Sequence, residues 1–346
     1  MSTANLDSAE LKAVQAGGLI REDVMEKIFD ISRIPLPFTD MVGKETAKNE
    51  YVEWTVDQLS APVVGNAQID GADLTGNDSK TGNRVGNHHQ ISTKVVQVSY
   101  RADASNTIGR AKELAYQVMR RQQELRRDVE AIATLNQASV ADNGSTIAGK
   151  AGGLPSWLAS HCSGGTGQVA GGFNLTTKLT VARTPGTAEK ALSEASIRNM
   201  IQAVYTDGGD VTVMMTVPSL ISRFSEYMIK QGGAHANIMT DYGKTQAPVS
   251  AVGAVNVFVT DFGTIRAVPN RLQQTYTVNS KTCADVFFLD PEYLALCYIK
   301  GYQTDELAKT GLSEKRAMSV DWSLIVNTEK AHGMLGDVDT AASMTA

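Results

Sequence analysis

The chain has 346 residues, 42% apolar and 20% charged, with a formal net charge of −5. That length suffices for one large or two ordinary domains with a sizeable core, and the composition is that of an ordinary globular protein. The acidic balance excludes an overall nucleic-acid grip, because polyanion binders carry a basic excess. Cys162, Cys283 and Cys297 have no CxxC spacing and are expected as reduced core residues. Met1–Glu10 lacks the basic-then-apolar pattern of a signal peptide, and no apolar run reaches the roughly 18–20 residues of a membrane span. The expectation is a soluble protein made in the cytosol.

Residues 1 to about 34 have the pattern of an arm with two short helices, Ser8–Gln15 and Arg21–Ile31, followed by an extended Pro35-Leu36-Pro37. From Asn49 the period becomes two. Val52, Trp54 and Val56 face one way and Tyr51, Glu53, Thr55 and Asp57 the other. A second alternating run, Gln90–Tyr100, puts Ser92, Lys94, Val96 and Val98 on one face. Between them, 66–87 is rich in turn formers, which predicts a long hairpin with a polar tip; two strands of a larger sheet with an insertion is the alternative.

From Ser105, a possible N-cap, to about Gln137, apolar residues recur at helical spacing (Ile108, Val118, Leu125, Val129, Ile132), predicting a spine helix roughly 45–50 Å long. A coiled coil is the competing reading, weakened by Gln122 and the short alanines. Its charged face carries Arg120, Arg121, Arg126 and Arg127, with Arg120–Glu124 and Arg126–Glu130 spaced to pair along the surface. Residues 138–185 are loop-rich, with Leu154–Leu158 as hydrophobic anchor. A lobe then begins near Ala188, with helices at 193–206 and 219–231 and strands at 211–217, 249–260, 263–268, 286–289 and 294–300. It is α+β, with a mostly antiparallel sheet. In the last part, Gln303–Lys309 leads to Arg316–Asn327. There Met318, Val320, Trp322, Leu324 and Val326 alternate with Ser319, Asp321, Ser323, Ile325 and Asn327, a strand with one wet face expected to pack beside the spine helix. Residues after Asp337 are expected to fray.

A search for chemistry finds no nucleophile elbow, Walker loop or HExxH. Gly165-x-Gly167-x-x-Ala170 lies in a Ser/Gly loop and not after a strand, His88-His89 lacks a third metal ligand, and Asp70/Asp73 and Asp337/Asp339 fit solvated turns. The arginines at 120–127 are interleaved with Glu124 and Asp128, which favours a solvated or intersubunit face over phosphate binding. No cofactor and no catalytic or metal-ligating residue is expected.

The order of parts and several segments carry a resemblance. These are Glu53-Trp54-Thr55, Gly86–Ser92, Glu113–Gln117 through Glu124–Glu130, Gly152–Trp157, Leu307–Arg316 and Asn327–Ala331. Together they resemble the major capsid proteins of tailed phages with the HK97-type fold, and in particular the SU10-type major head protein family. The resemblance spans about residues 15 to 337; Leu312 departs from the small polar residue expected there. It implies an α+β capsid fold with an N-terminal arm (1–45), a long β-hairpin or E-loop (46–100), a P-domain (101–187 and 301–337) holding the spine helix and long strands, an α+β A-domain (188–300) and a flexible tail (338–346). It implies a non-enzymatic subunit of a tailed bacteriophage virion. That subunit would self-assemble as pentamers and hexamers into an icosahedral head around dsDNA held by non-specific contact, with a portal, a separate scaffold protein and possible decoration protein as partners and no membrane. Assembly would take place in the host bacterial cytoplasm. Trp54, Lys80, Arg84, Arg120, Arg121, Arg126 and Arg127 are the candidate intersubunit contacts. Lys80 would be the crosslinking lysine in relatives that crosslink, but no segment supplies its acceptor, and no crosslink is expected. An encapsulin-like cage is the alternative on the same fold, and a cytosolic α+β enzyme the alternative of another class.

Overall fold

The computed structural model describes residues 35–71, 73, 82–107, 110–233, 257–309 and 311–345. Both arm helices expected before residue 34 lie outside the described residues, as does Lys80. Where an extended path was expected at Pro35–Pro37, Pro37 instead opens a short helix, α1 (Pro37–Met41). Proline's missing N–H and fixed φ suit the first helical position.

Two sheets form the body. The first has the order β1 (Gly43–Thr46), β13 (Leu294–Glu306), β14 (Ser313–Val326) and β4 (Gln90–Ser99), with β1 parallel to β13 and the rest antiparallel. Met318, Val320, Trp322, Leu324 and Val326 are at most 1% exposed, as their alternation predicted, and pack with Val96, Leu125 and Val129. The opposite face of β14 is not wet throughout. Ser323 and Ile325 are buried, because the hairpin base lies over that end and makes a small second core of Ala295, Cys297 and Ile325 with Val52 and Trp54.

The expected hairpin splits at its root. β2 (Tyr51–Val56) pairs antiparallel with β3 (Asn83–His88), whereas the 90–99 run joins the main sheet as an edge strand beside β14. The larger-sheet alternative therefore holds for the second run and the hairpin for the first. β3 escaped detection inside a polar, turn-rich stretch. Gly86 is needed there, since a Cβ would come 2.6 Å from the Val52 carbonyl.

The spine helix is shorter than its pattern. After a short helix α2 (Tyr100–Ala104), α3 runs over Glu113–Ala133, about 32 Å at 1.5 Å per residue. Ser105 closes α2, its hydroxyl donating to the Arg101 carbonyl at 2.6 Å. The N-terminal amides of α3 find their cap in Asp103, which accepts from Leu114 N–H at 3.0 Å. α3 packs on β4 and β14 through Leu125 and Val129.

The second sheet has the order β5 (Cys162–Ser163), β15 (Gly333–Asp339), β12 (Lys281–Leu289), β8 (Val213–Thr216), β10 (Gly263–Pro269) and β9 (Val257–Thr260), with β11 (Tyr276–Val278) also on β12. Helix α4 (Glu194–Thr206), expected at 193–206, begins at Ser193, whose Oγ accepts from Ser196 N–H at 3.1 Å, and buries Ile197, Ile201 and Val204. Helix α5 (Pro218–Gly233) buries Leu220 and Phe224 in the same core. Two segments sit differently from the sequence reading. β13, assigned to this lobe up to residue 300, belongs to the long-strand sheet, and 333–337, placed in the P-domain with no strand expected there, belongs to β15 of this sheet. The tail does not fray: Met344 is buried, and Thr345 exchanges backbone hydrogen bonds with Leu192 and Glu194. In the loop-rich region, β6 (Gly172–Asn174) and β7 (Leu179–Val181) make a small ribbon, and Leu154, Trp157 and Leu158 anchor it in the main core.

Candidate functional site

The hairpin has a fixed base and a bare extension. Trp54 donates its indole N–H to the Val326 carbonyl at 3.1 Å and sits 5.3 Å from the Trp157 ring, which stacks on Phe173. Tyr51 donates its hydroxyl to the Lys178 carbonyl at 3.0 Å. Asn87, fully buried, donates to the Leu324 carbonyl and accepts from Gly152 N–H, both at 2.8 Å. On the outer face Arg84 pairs with Glu53. Beyond Val56 the chain carries Leu59, Val63, Val64 and Ile69, all more than 70% exposed. They make an exposed apolar stretch on a segment without regular structure, the kind of surface that marks interaction sites. Beneath the ribbon, a cleft of about 1270 Å³ is lined by the 55–61 strand exit, Phe173, Leu175 and the 327–331 turn.

The arginine face is held in part by contacts within the chain. Arg120 donates to the Tyr116 hydroxyl at 3.1 Å, Arg121 pairs with Glu124, and Arg126 lies 5.3 Å over the Tyr302 ring. Arg127 is half-buried, with its Nε lacking a hydrogen-bond partner. The expected Arg126–Glu130 surface pair does not form. Glu130 turns inward with no exposed surface. Its Oε1 accepts from Phe38 N–H at 2.9 Å and from the Asn270 amide at 2.8 Å, and its Oε2 from Thr39 N–H at 2.7 Å. Burial raises its pKa, against which those donors pull down. Trp54 and the four spine arginines are thus positioned by the fold, while Arg84 stands at the hairpin edge.

The motifs set aside in the sequence find structural uses. Asp337 is not in a solvated turn: it is fully buried, accepting from Gly165 N–H and Gly186 N–H at 2.9 Å and from Arg183 at 3.1 Å. Arg183 also reaches Asp285 at 3.0 Å, and Tyr276 donates to both carboxylates. Burial opposes the Arg183 charge, but Asp285, Tyr276 and Asp337 outweigh it and its pKa rises; burial raises Asp285. Those three elements, 160–187, β12 and β15, are fastened by one buried charge cluster. Among the described residues, no group of three or more His, Cys, Asp and Glu side chains could hold a metal, and no helix is long and apolar enough to cross a membrane.

A family profile for the SU10 major capsid protein matches residues 3–339. The chain belongs to the SU10 major capsid protein family. This capsid subunit is 24% identical over 331 residues to a protein of Escherichia phage Phieco32 named "Major capsid protein", covering 86% of this chain and 89% of that one. Its fold is that of solved shells. It resembles the capsid of a native GTA particle with TM-score 0.59, 13% identity and coverage of 96% and 100%, and the capsid of Cyanophage P-SCSP1u with TM-score 0.54, 12% identity and coverage of 97% and 100%. It resembles a holo-SrpI encapsulin complex from Synechococcus elongatus with TM-score 0.56, 13% identity and coverage of 99% of both chains. The α+β HK97-type fold and the phage major capsid reading of the sequence both hold. Sequence reasoning missed Glu130 and the Arg183 cluster. Glu130 had no signal of its own on a charged helix, and the one signal of the cluster was Asp285 on the otherwise apolar β12.

Proposed function

We propose that this capsid subunit self-assembles, as pentamers and hexamers, into an icosahedral virion shell that encloses dsDNA through non-specific contacts, and that it has no catalytic role. Portal, separate scaffold and possible decoration proteins are its partners, and the host bacterial cytoplasm is its place of assembly. The supporting observation is the hairpin: a two-stranded ribbon that ends in exposed Leu59, Val63, Val64 and Ile69 requires a covering surface, which a neighbouring copy supplies. We assign the arm to 1–45, the hairpin to 46–88, the P-domain to the four-stranded sheet with α3, and the A-domain to the second sheet with α4 and α5. The outward Arg84 and the spine arginines, with Trp54 holding the base, set the angle and register of contact. Lys80, outside the described residues, contacts a neighbour without crosslinking.

Negative-stain microscopy with light scattering on the protein expressed alone, and together with its scaffold, tests this. Closed shells, tubes or capsomer rings are expected. A variant replacing 60–81 with a Gly–Ser turn keeps β2 and β3 and should stay folded but fail to close; normal assembly by this variant would refute the embracing hairpin. Because the fold is shared with an encapsulin, the contents decide between head and cage. Nuclease-protected DNA in particles from infected cells supports the head, and protein cargo alone supports the cage.

A further inference from the structure

The long-strand sheet ends in an unguarded edge. β4 is its outermost strand, and among the described residues no strand pairs with its far side. Just past its end, Tyr100 N–H donates to the Leu312 carbonyl at 3.2 Å, on the β14 side. Backbone direction alternates along a strand, so Thr93, Val95 and Gln97 turn their N–H and C=O groups to the open side. Edge strands are commonly blunted by proline, a bulge or charge. β4 has no proline and keeps unbroken register with β14 from Gln90 to Ser99. Its one charged side chain, Lys94, is turned to Asp128 of α3 at 2.7 Å. Ile91 and Val95, on the face away from α3, are 65% and 55% exposed.

We propose that this edge receives the hairpin extension of a second copy, whose residues 57–64 add a fifth strand beside β4. The pairing rests on the hairpin-to-neighbour contact of the proposed function and supplies the surface for it. Beyond Val56 the extension has no strand partner of its own, and Leu59, Ala61 and Val63 recur with the period that lays them beside Ile91 and Val95. Pro62, which has no N–H, is tolerated in an added outer strand. Charge matches as well. The Lys94–Asp128 pair brings one flank of α3 beneath the edge, and helical spacing puts Arg120, Arg121, Glu124 and Arg127 on that flank. Four cations there meet two carboxylates, whereas 57–71 holds Asp57 and Asp70 and no Lys or Arg. A subunit's own extension starts far away. His88 meets Ser323 and Trp54 meets Val326, so the ribbon runs away from β4. Val95 pairs with Ala317, nine residues back from Val326 or about 30 Å, and an extension covering its own edge would have to double back along β3.

Thr93→Pro in the full-length subunit removes one edge-facing N–H and leaves the β14 ladder intact. Its urea melt should match wild type, because edge strands accept proline where the N–H faces solvent. Its assembly midpoint, read by light scattering with the scaffold present, should rise about 10-fold or more. If Thr93→Pro melts early, Gln97→Pro replaces it. Wild-type assembly by the folded proline variant, alongside failure of the 60–81 replacement, overturns the placement on β4 and leaves the hairpin contact standing; wild-type assembly by both overturns the hairpin contact itself. Disulfide formation locates the partner. Val95→Cys combined in one chain with Leu59→Cys, Ala61→Cys or Val63→Cys should give a ladder of covalent oligomers on mild oxidation for at least one pair, beyond that of wild type. Val95→Cys with Ser60→Cys or Val64→Cys should not, since those side chains lie on the other face. A ladder that ignores this period, a disulfide closed within one chain, or no ladder from any pair overturns the proposal.

Discussion

Replacing Glu130 with alanine strands three donors at once. The carboxylate accepts from Phe38 N–H, Thr39 N–H and the Asn270 amide at 2.7–2.9 Å, and Phe38 and Asn270 have no exposed surface. Each buried donor left unmade costs about 1–3 kcal/mol. Three of them sum to roughly 3–9 kcal/mol, although groups in one network do not add. The chain has a cheaper escape: 37–46 can undock, rehydrating its amides while exposing Phe38 and unzipping β1 from β13. The expected outcome is thus local. Glu130→Ala should lose most hydrogen-exchange protection at 37–46 and at 295–298, with a smaller fall in global stability measured by urea melts. Glu130→Gln keeps one acceptor oxygen but turns an amide N–H₂ toward a donor, and should fall between. Were Glu130 the surface partner of Arg126, its removal would cost only about 0.3–0.5 kcal/mol and leave 37–46 untouched. Wild-type protection of 37–46 in Glu130→Ala would refute the buried-clamp reasoning.

Trp322 is fully buried, and its indole N–H donates to the Ser92 hydroxyl at 3.2 Å. Trp322→Ala should lower stability by roughly 3–5 kcal/mol in urea melts, and a change within about 0.5 kcal/mol would contradict its place in the core. His332 is also fully buried, and burial pushes its pKa down from 6.5 to about 3. The unfolded chain takes up a proton below about pH 6.5 that the folded chain refuses until about pH 3. His332 therefore contributes full stability above pH 6.5, lost at up to about 1.4 kcal/mol per unit as pH falls toward 3. Thermal melts from pH 7.5 to 5.0 should slope less steeply for His332→Asn than for wild type; parallel slopes would count against this account.

How far the sequence could be read depended on whether a residue's role is set by its own strand or by distant chain. Met318 to Val326 alternate because one face of β14 meets α3, and periodicity alone exposes that. The helix at 194–206 shows its apolar stripe in thirteen consecutive residues, with the serine cap immediately before them. Ser323 and Ile325 broke the pattern because the hairpin base, from more than 230 residues away, covers them. β3 is polar and contains Gly86; it is a strand because β2 supplies its partner, not because its residues favour one. Glu130 sits four residues after Arg126 on a charged helix, the spacing of a surface pair, and only the amides of Phe38 and Thr39 draw it inward. Arg183, Asp285 and Asp337 come from three segments whose meeting no local pattern announces.

The hairpin's energetics argue for a closed assembly in place of a simple dimer. Fully covering Leu59, Val63, Val64 and Ile69 gives about 1.5–3 kcal/mol per side chain, or roughly 6–12 kcal/mol per hairpin. Bringing two subunits together costs on the order of 4–15 kcal/mol in lost freedom, with further cost to order the extension. One hairpin contact therefore leaves little surplus, and an isolated pair of subunits should be weak. In a ring each subunit both gives a hairpin and receives one, and the last contact to form closes on partners already held in place. Its association cost is largely met by the contacts before it, so its burial appears almost entirely as stability. A rigid base serves this arrangement. Trp54, Tyr51 and Asn87 fix where the ribbon leaves the body, so in the proposed ring the extension would meet its neighbour at one angle. Weak pairwise contact with a fixed exit angle predicts sharply concentration-dependent association for the proposed ring: subunits should stay apart when dilute, and closed species should dominate once rings form.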